Sequence, residues 1–163
     1  MAVALLAGSF DPVTLGHVDL ARRARALCER LVVGVGEREG KEPFLPVAER
    51  VALLQECLKG MDGVVVAPFR GLAVDFARRH KATLLVRGAR GVADFEYERT
   101  MALTNRQVAP DLETVLLVPA AEVAHVSSSL VREIARAGGP LDRFVPPPVA
   151  EALRRRAAGR GSG

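Results

Sequence analysis

The sequence predicts an α/β fold: a single-domain, doubly wound (Rossmann-like) five-stranded parallel sheet with helices on both faces. Three observations predict it. Short apolar runs alternate with helical patterns through most of the chain, as in successive βα units. The apolar runs are unbroken, as in strands buried on both faces of a parallel sheet. Glycines, hydroxyls and arginines recur just after those runs, at the edge where such sheets bind ligands.

The elements follow in order. Residues 3–7 (Val-Ala-Leu-Leu-Ala) form the first strand. Val18, Ala21, Ala24 and the pair Leu27-Cys28 then recur at helical spacing with arginines between them, an amphipathic helix. Residues 31–35 make the second strand, and a polar loop, 36–43, leaves it. Pro46 suits the first turn of a helix whose inner face is Val47, Val51, Leu54 and Leu58. A third strand spans 64–67, a short helix 74–80, and a fourth strand 83–86. A long helix from about Asp94 to about Val108 carries Glu98, Met101 and Asn105, and Pro110 stops it. The fifth strand is 114–118; Ser127-Ser128-Ser129 opens the next helix, which Gly138-Gly139 closes. The prolines 146–148 lead to a last helix, so one domain covers 1–158 and a flexible tail 159–163.

Composition narrows the function. The chain has 163 residues, 49% of them hydrophobic, yet no run nears the roughly 18 apolar residues of a membrane span. No basic segment precedes an apolar one at the N-terminus, so a cytoplasmic protein is expected. Cys28 and Cys57 fall on the apolar faces of their helices and read as small hydrophobes. No Cys or His spacing suggests a metal site. Net charge is +4 and pI about 9.7. The basic residues are almost all arginines, which grip phosphate through a planar fork. The basic C-terminal run has no aromatic stacking pattern beside it, so no nucleic-acid partner is expected.

The first βα turn, Gly8-Ser9-Phe10-Asp11-Pro12-Val13-Thr14-Leu15-Gly16-His17, concentrates the chemistry. Thr14 is placed to cap a helix whose first turn holds Gly16 and His17. Helix N-terminal amides lack internal partners and favour anions. His17 adds a donor there, and Ser9 a hydroxyl beyond the strand. Neither a Walker loop nor a Gly-x-Gly-x-x-Gly fingerprint is present. Lys41 lies in the loop after strand two, Arg70 and Gly71 follow strand three, and Arg87 and Arg90 follow strand four. The serines 127–129 follow strand five. Many cations and amide donors without a convincing nucleophile suit displacement at phosphorus, which relies on positioning and charge stabilisation.

These segments resemble bacterial phosphopantetheine adenylyltransferases, within the nucleotidyltransferase superfamily bearing a His/Thr-x-Gly-His motif. The resemblance rests on residues 8–17, Lys-Glu-Pro-Phe-Leu-Pro at 41–46, Arg-Gly-Ala-Arg-Gly-Val-Ala-Asp-Phe-Glu-Tyr-Glu at 87–98, Asn-Arg at 105–106 and Ser-Ser-Ser-Leu-Val-Arg-Glu at 127–133. It implies transfer of AMP from ATP to 4′-phosphopantetheine, giving dephospho-coenzyme A and pyrophosphate, by in-line attack without a covalent enzyme intermediate. His17 would stabilise charge on the α-phosphate. Ser9, Lys41 and Arg87 would hold the attacking phosphate. Ser9, Phe10, His17, Gly88, Ala89, Arg90, Glu98 and the run Val123, Ala124, His125, Val126, Ser127, Ser128 and Ser129 would line the ATP site. Ala73, Met101 and Asn105 would border the pantetheine arm. The resemblance also implies Mg2+ accompanying ATP, a homohexamer, and coenzyme A as a competing feedback inhibitor. Serine at position 9 stands where the family often has threonine, and Ala124-His125-Val126 where it often has aromatics. Transfer to nicotinamide mononucleotide, use of a cytidylyl donor, or a catalytically silent nucleotide- or RNA-binding role are the rival readings.

Overall fold

The structure, a computed structural model, describes residues 2–37, 40 and 42–160. Five strands, β1 (Val3–Gly8), β2 (Arg30–Gly36), β3 (Val64–Phe69), β4 (Leu84–Gly88) and β5 (Glu113–Leu117), form one parallel sheet in the order β3-β2-β1-β4-β5. The helices are α1 (Leu15–Arg25), α2 (Val47–Cys57), α3 (Ala73–Arg79), α4 (Val92–Val108), α5 (Ser128–Arg136) and α6 (Pro147–Arg160). β1 is central, pairing with β2 on one side and β4 on the other. The chain order reverses at β1, so the crevice beyond the strand ends lies between β1 and β4.

Strand alternation divides the core in two. Ala4, Leu6, Leu31, Val33 and Val35 face a cluster with Leu20 and Ala24 of α1, Leu54 of α2, Val131 of α5 and Leu153 of α6. Leu5, Ala7, Val32 and Leu85 face a smaller cluster with Val74, Phe76 and Ala77 of α3 and Leu112. The unbroken apolar runs are therefore covered on both faces, as a parallel sheet requires. α4 differs: its one buried residue is Glu98, while Val92, Phe95, Tyr97 and Leu103 are exposed.

Several boundaries depart from the sequence reading. α1 ends at Arg25, and Leu27 is exposed. Cys28 thus lies in the bend that leads into β2, its Sγ 3.3 Å from the Ala24 carbonyl. The early stop has a cause: Glu29 N must reach Ala2 O and Leu31 N must reach Gly63 O to start the strand pairing. Cys57 is the last residue of α2; both thiols are half-buried and free, and burial raises the Cys57 pKa to about 11. α4 starts at Val92, with Gly91 as its N-cap. α6 extends to Arg160, so Gly159 and Arg160 belong to its last turn, and 161–163 lie outside the described residues.

Gly34, inside β2, sits beneath the stacked rings of Phe69 and Phe76, whose centroids are 4.7 Å apart. A Cβ there would lie 2.9 Å from Phe76 Cε1 and 3.1 Å from both Phe69 Cε1 and Leu5 Cδ1. Gly34→Ala is expected to destabilise the fold by about 1–3 kcal/mol, the usual cost of overpacking. Denaturant unfolding measures this; wild-type stability would show that the ring stack yields freely.

Candidate active site

The carboxyl ends of the strands open into a cleft of about 1250 Å³. Its floor is the first βα turn. Phe10 has φ +48°, a left-handed conformation uncommon for an aromatic residue. Its ring turns back beneath Gly8, where a Cβ would meet Phe10 Cζ at 3.1 Å. The ring is 2% exposed and meets His17 edge-on at 5.0 Å between centroids. This burial leaves Ser9 exposed at the cleft.

Thr14 and His17 form a reciprocal cap at the start of α1. The His17 amide donates to Thr14 Oγ1 at 3.3 Å, and the Thr14 amide donates to His17 Nδ1 at 3.0 Å. A backbone amide can only donate, so Nδ1 accepts and the ring proton resides on Nε2. Burial, then the charges of Arg90 and Arg87, lower the His17 pKa to about 4. His17 is therefore a neutral hydrogen-bond donor at pH 7.

Arg87, the next-to-last residue of β4, is held on both sides. Its Nε and Nη2 donate to the two carboxylate oxygens of Glu98 at 2.8 and 2.7 Å, and Nη1 donates to Ala7 O at 2.5 Å. The Glu98 hydrogen bonds raise the Arg87 pKa, which keeps the guanidinium charged. Arg90 is fixed by Asp94, Nε to Oδ2 at 2.8 Å, and reaches Val126 O at 3.2 Å. That pair holds the Asp94 carboxyl below its ordinary pKa. Ser127 caps α5, its Oγ accepting from Leu130 N at 3.1 Å. The first turns of α1 and α5 therefore both border the cleft, lined there by Gly16, Ser128 and Ser129, while Leu15 N is taken by Phe144 O and His17 N by Thr14.

Asp11 ties these parts together. Its carboxylate accepts from Phe44 N and Leu45 N at 2.7 Å each, and its carbonyl accepts from Arg132 Nη1 at 2.7 Å. Ser128 Oγ donates to Pro12 O at 2.8 Å. Taken together, the cleft presents a neutral imidazole donor, two helix N-termini and fixed guanidinium groups. That set can bind a polyphosphate and stabilise charge developing on a phosphoryl oxygen.

Residues 5–134 match the cytidylyltransferase-like family. A protein named phosphopantetheine adenylyltransferase from Alkalilimnicola ehrlichii is 50% identical over 159 residues, covering 96% of this chain and 91% of that one. Its namesake from Thioalkalivibrio sulfidiphilus is 48% identical, covering 94% and 97%. One from Desulforudis audaxviator is 45% identical over all of both chains. The chain belongs to the phosphopantetheine adenylyltransferase family. A solved structure titled a putative nicotinate-nucleotide adenylyltransferase from Vibrio parahaemolyticus shares the fold, with a TM-score of 0.70 at 14% identity, covering 95% of this chain and 93% of that one.

Of the residues the family resemblance singles out, the cleft is lined by Ser9, Phe10, His17, Ala73, Arg87, Gly88, Arg90, Glu98, Val123 and Val126 to Ser129. Ala89, Ala124, His125, Met101 and Asn105 do not line it. Ala89 is buried, its amide bonded to Leu117 O. His125 is exposed and meets Phe144 edge-on at 6.3 Å. Met101 and Asn105 lie on α4. Lys41 lies outside the described residues. Arg50, Asp11 and Arg132 also enter the site; Asp11 and Arg132 fall within segments 8–17 and 127–133, but the sequence assigns none of the three a site role. Arg50 did leave a trace: it is a charged residue set into the apolar stripe of Val47, Val51 and Leu54.

The lowered His17 pKa has a defined sign. An unfolded imidazole takes up its proton near 6.5, the folded one near 4. The stability linked to neutral His17 is complete above pH 6.5 and is lost as pH falls toward 4. NMR titration is expected to show His17 neutral, with the proton on Nε2, from pH 8 down to about pH 5. Titration near 6.5 would contradict the burial and the arginine charges described above.

Proposed function

We propose that this chain transfers the adenylyl group of ATP to 4′-phosphopantetheine, giving dephospho-coenzyme A and pyrophosphate in coenzyme A biosynthesis. The observation that carries the reading is the capped, neutral His17 at the meeting of two helix N-termini, in a chain whose relatives of that name match it end to end. An oxygen of the phosphopantetheine phosphate attacks the α-phosphorus of ATP. The bond to the bridging oxygen breaks, and pyrophosphate leaves with that electron pair. His17 Nε2–H donates to a non-bridging α-oxygen as its charge grows. Being neutral, it needs no proton transfer to act.

Ser9, Lys41 and Arg87 hold the attacking phosphate in this reading. Arg90 with Ser128 and Ser129 receives the pyrophosphate. Glu98 and the segment 123–129 bound the nucleotide, and Ala73, Met101 and Asn105 border the pantetheine arm. Magnesium enters as MgATP, on the substrate's phosphates. Among the described residues no group of three His, Cys, Asp or Glu side chains converges on a metal position.

The assembly we propose is a homohexamer, with coenzyme A as a feedback inhibitor competing at the cleft. Exposed Val92, Phe95, Tyr97, Leu103 and Val108 on α4 support association between copies. No described helix is long and apolar enough to cross a membrane; the setting proposed is cytoplasmic, and no nucleic-acid partner is proposed. Multi-angle light scattering is expected to give about six times the chain mass of 17.4 kDa; a monomer at micromolar concentration would sink the assembly.

The reaction is tested by pyrophosphate release from MgATP with 4′-phosphopantetheine, with nicotinamide mononucleotide, or with no acceptor. Release is expected only with phosphopantetheine, together with the mass of dephospho-coenzyme A. Release with the mononucleotide alone would replace the acceptor. His17→Ala is expected to lower kcat on the order of 10²–10³-fold, the effect of removing one transition-state donor, with little change in substrate affinity. Near wild-type turnover would remove His17 from the mechanism.

A further inference from the structure

Arg50 is a buried cation with no carboxylate paired to it among the described residues. It is 3% exposed, on the inner face of α2. Its Nε donates to Leu45 O at 3.0 Å, and its Nη1 donates to Ser9 O at 2.6 Å and Gly36 O at 3.1 Å. All three partners are neutral carbonyls. Among the described residues, no carboxylate lies within the 4.0 Å of an ion pair with it. The other arginines near the strand ends contrast with it: Arg87 is neutralised by Glu98, Arg90 by Asp94 and Arg70 by Glu37.

A buried charge is costly unless something of opposite sign approaches it. Arg50 lines the cleft, and its partners place it where β1 and β2 end. Arg87 occupies the other flank of β1, between β1 and β4. The floor is thus asymmetric: its β4 side carries a compensated cation and its β2 side an uncompensated one. Gly36, Phe69, Gly71 and Ala73 bound the cleft on that β2–β3 side.

We propose that Arg50 is the positioning residue for the acceptor's phosphate. It acts in two ways. Its fork pins the Ser9 and Gly36 carbonyls together, which sets the direction of the exposed Ser9 hydroxyl. Its unneutralised charge, bonded to the Ser9 carbonyl, selects a phosphate monoester, close to a dianion at neutral pH. The proposal rests on the phosphopantetheine reading above and deepens it by naming what distinguishes a phosphorylated acceptor from an unphosphorylated one.

The test uses the full-length protein and two variants. Arg50→Met keeps the long apolar stem and removes the charge; Arg50→Lys keeps the charge and loses the planar fork. Calorimetry gives the affinities for 4′-phosphopantetheine and for pantetheine, and steady-state assays give KM and kcat. Arg50→Met is expected to weaken phosphopantetheine binding on the order of 10–100-fold, the usual effect of losing a charged partner, while pantetheine binding stays as in wild type. The loss should fall on KM more than kcat, and Arg50→Lys should recover much of it. Equal losses for both ligands, wild-type affinity in folded Arg50→Met, or no recovery with lysine would each overturn the proposal.

If Arg50→Met does not fold, the wild-type protein decides: the 15Nε resonance of Arg50 is followed during titration with inorganic phosphate. A saturable shift supports the assignment, and none at saturation overturns it. Wild-type protein that shifts with phosphate but does not adenylylate phosphopantetheine would overturn the acceptor reading while leaving the anion position standing.

Discussion

The site depends first on the Asp11 carboxylate. Its two oxygens take the amides of Phe44 and Leu45, more than thirty residues ahead, and its carbonyl takes the guanidinium of Arg132 from α5. The turn after β1, the loop before α2 and the N-terminus of α5 are thereby held to one point. Each contact joins a charged group to a backbone dipole, the stronger kind of hydrogen bond. A helix N-terminus can serve a phosphate only if it is aimed, and this cluster aims two of them.

Charge around the cleft is set by pairing as much as by number. Arg87 and Arg90 carry their own carboxylates, Glu98 and Asp94, and so are fixed in place before any substrate arrives. A pre-placed guanidinium needs no reorganisation during reaction, which is the basis of electrostatic catalysis. Those carboxylates also temper the pull on substrate phosphates. Burial, helped by the charges of Arg90 and Arg87, keeps His17 neutral, so the pocket holds its donor free of an added charge.

Much of this was legible in the sequence, for identifiable reasons. The five strands stand out because their runs are apolar on both faces, and the alternation with helices leaves few topologies. Thr14 and His17 were readable as a helix start because capping obeys local spacing. The bonds of Asp11 and Arg50 were not, since their partners lie 5 to 121 residues away in sequence and are mostly backbone atoms. Backbone acceptors leave no mark in residue identity. Glu98 shows the same limit from another side: spacing placed it on the long helix, yet its bidentate hold on Arg87 depends on how that helix lies over β4.

That lie of α4 has its own consequence. The helix buries a single side chain, and that side chain is a charge paired to a site residue. Segments with few packed apolar contacts open at the lowest free energy. In the isolated chain, each loosening of α4 withdraws Glu98 from Arg87 and leaves that guanidinium held on one side only, by Ala7 O. The order of the cleft wall is therefore linked to whatever covers the exposed face of α4. Protomer association, by covering that face, would tighten the site at a distance without contributing an atom to it.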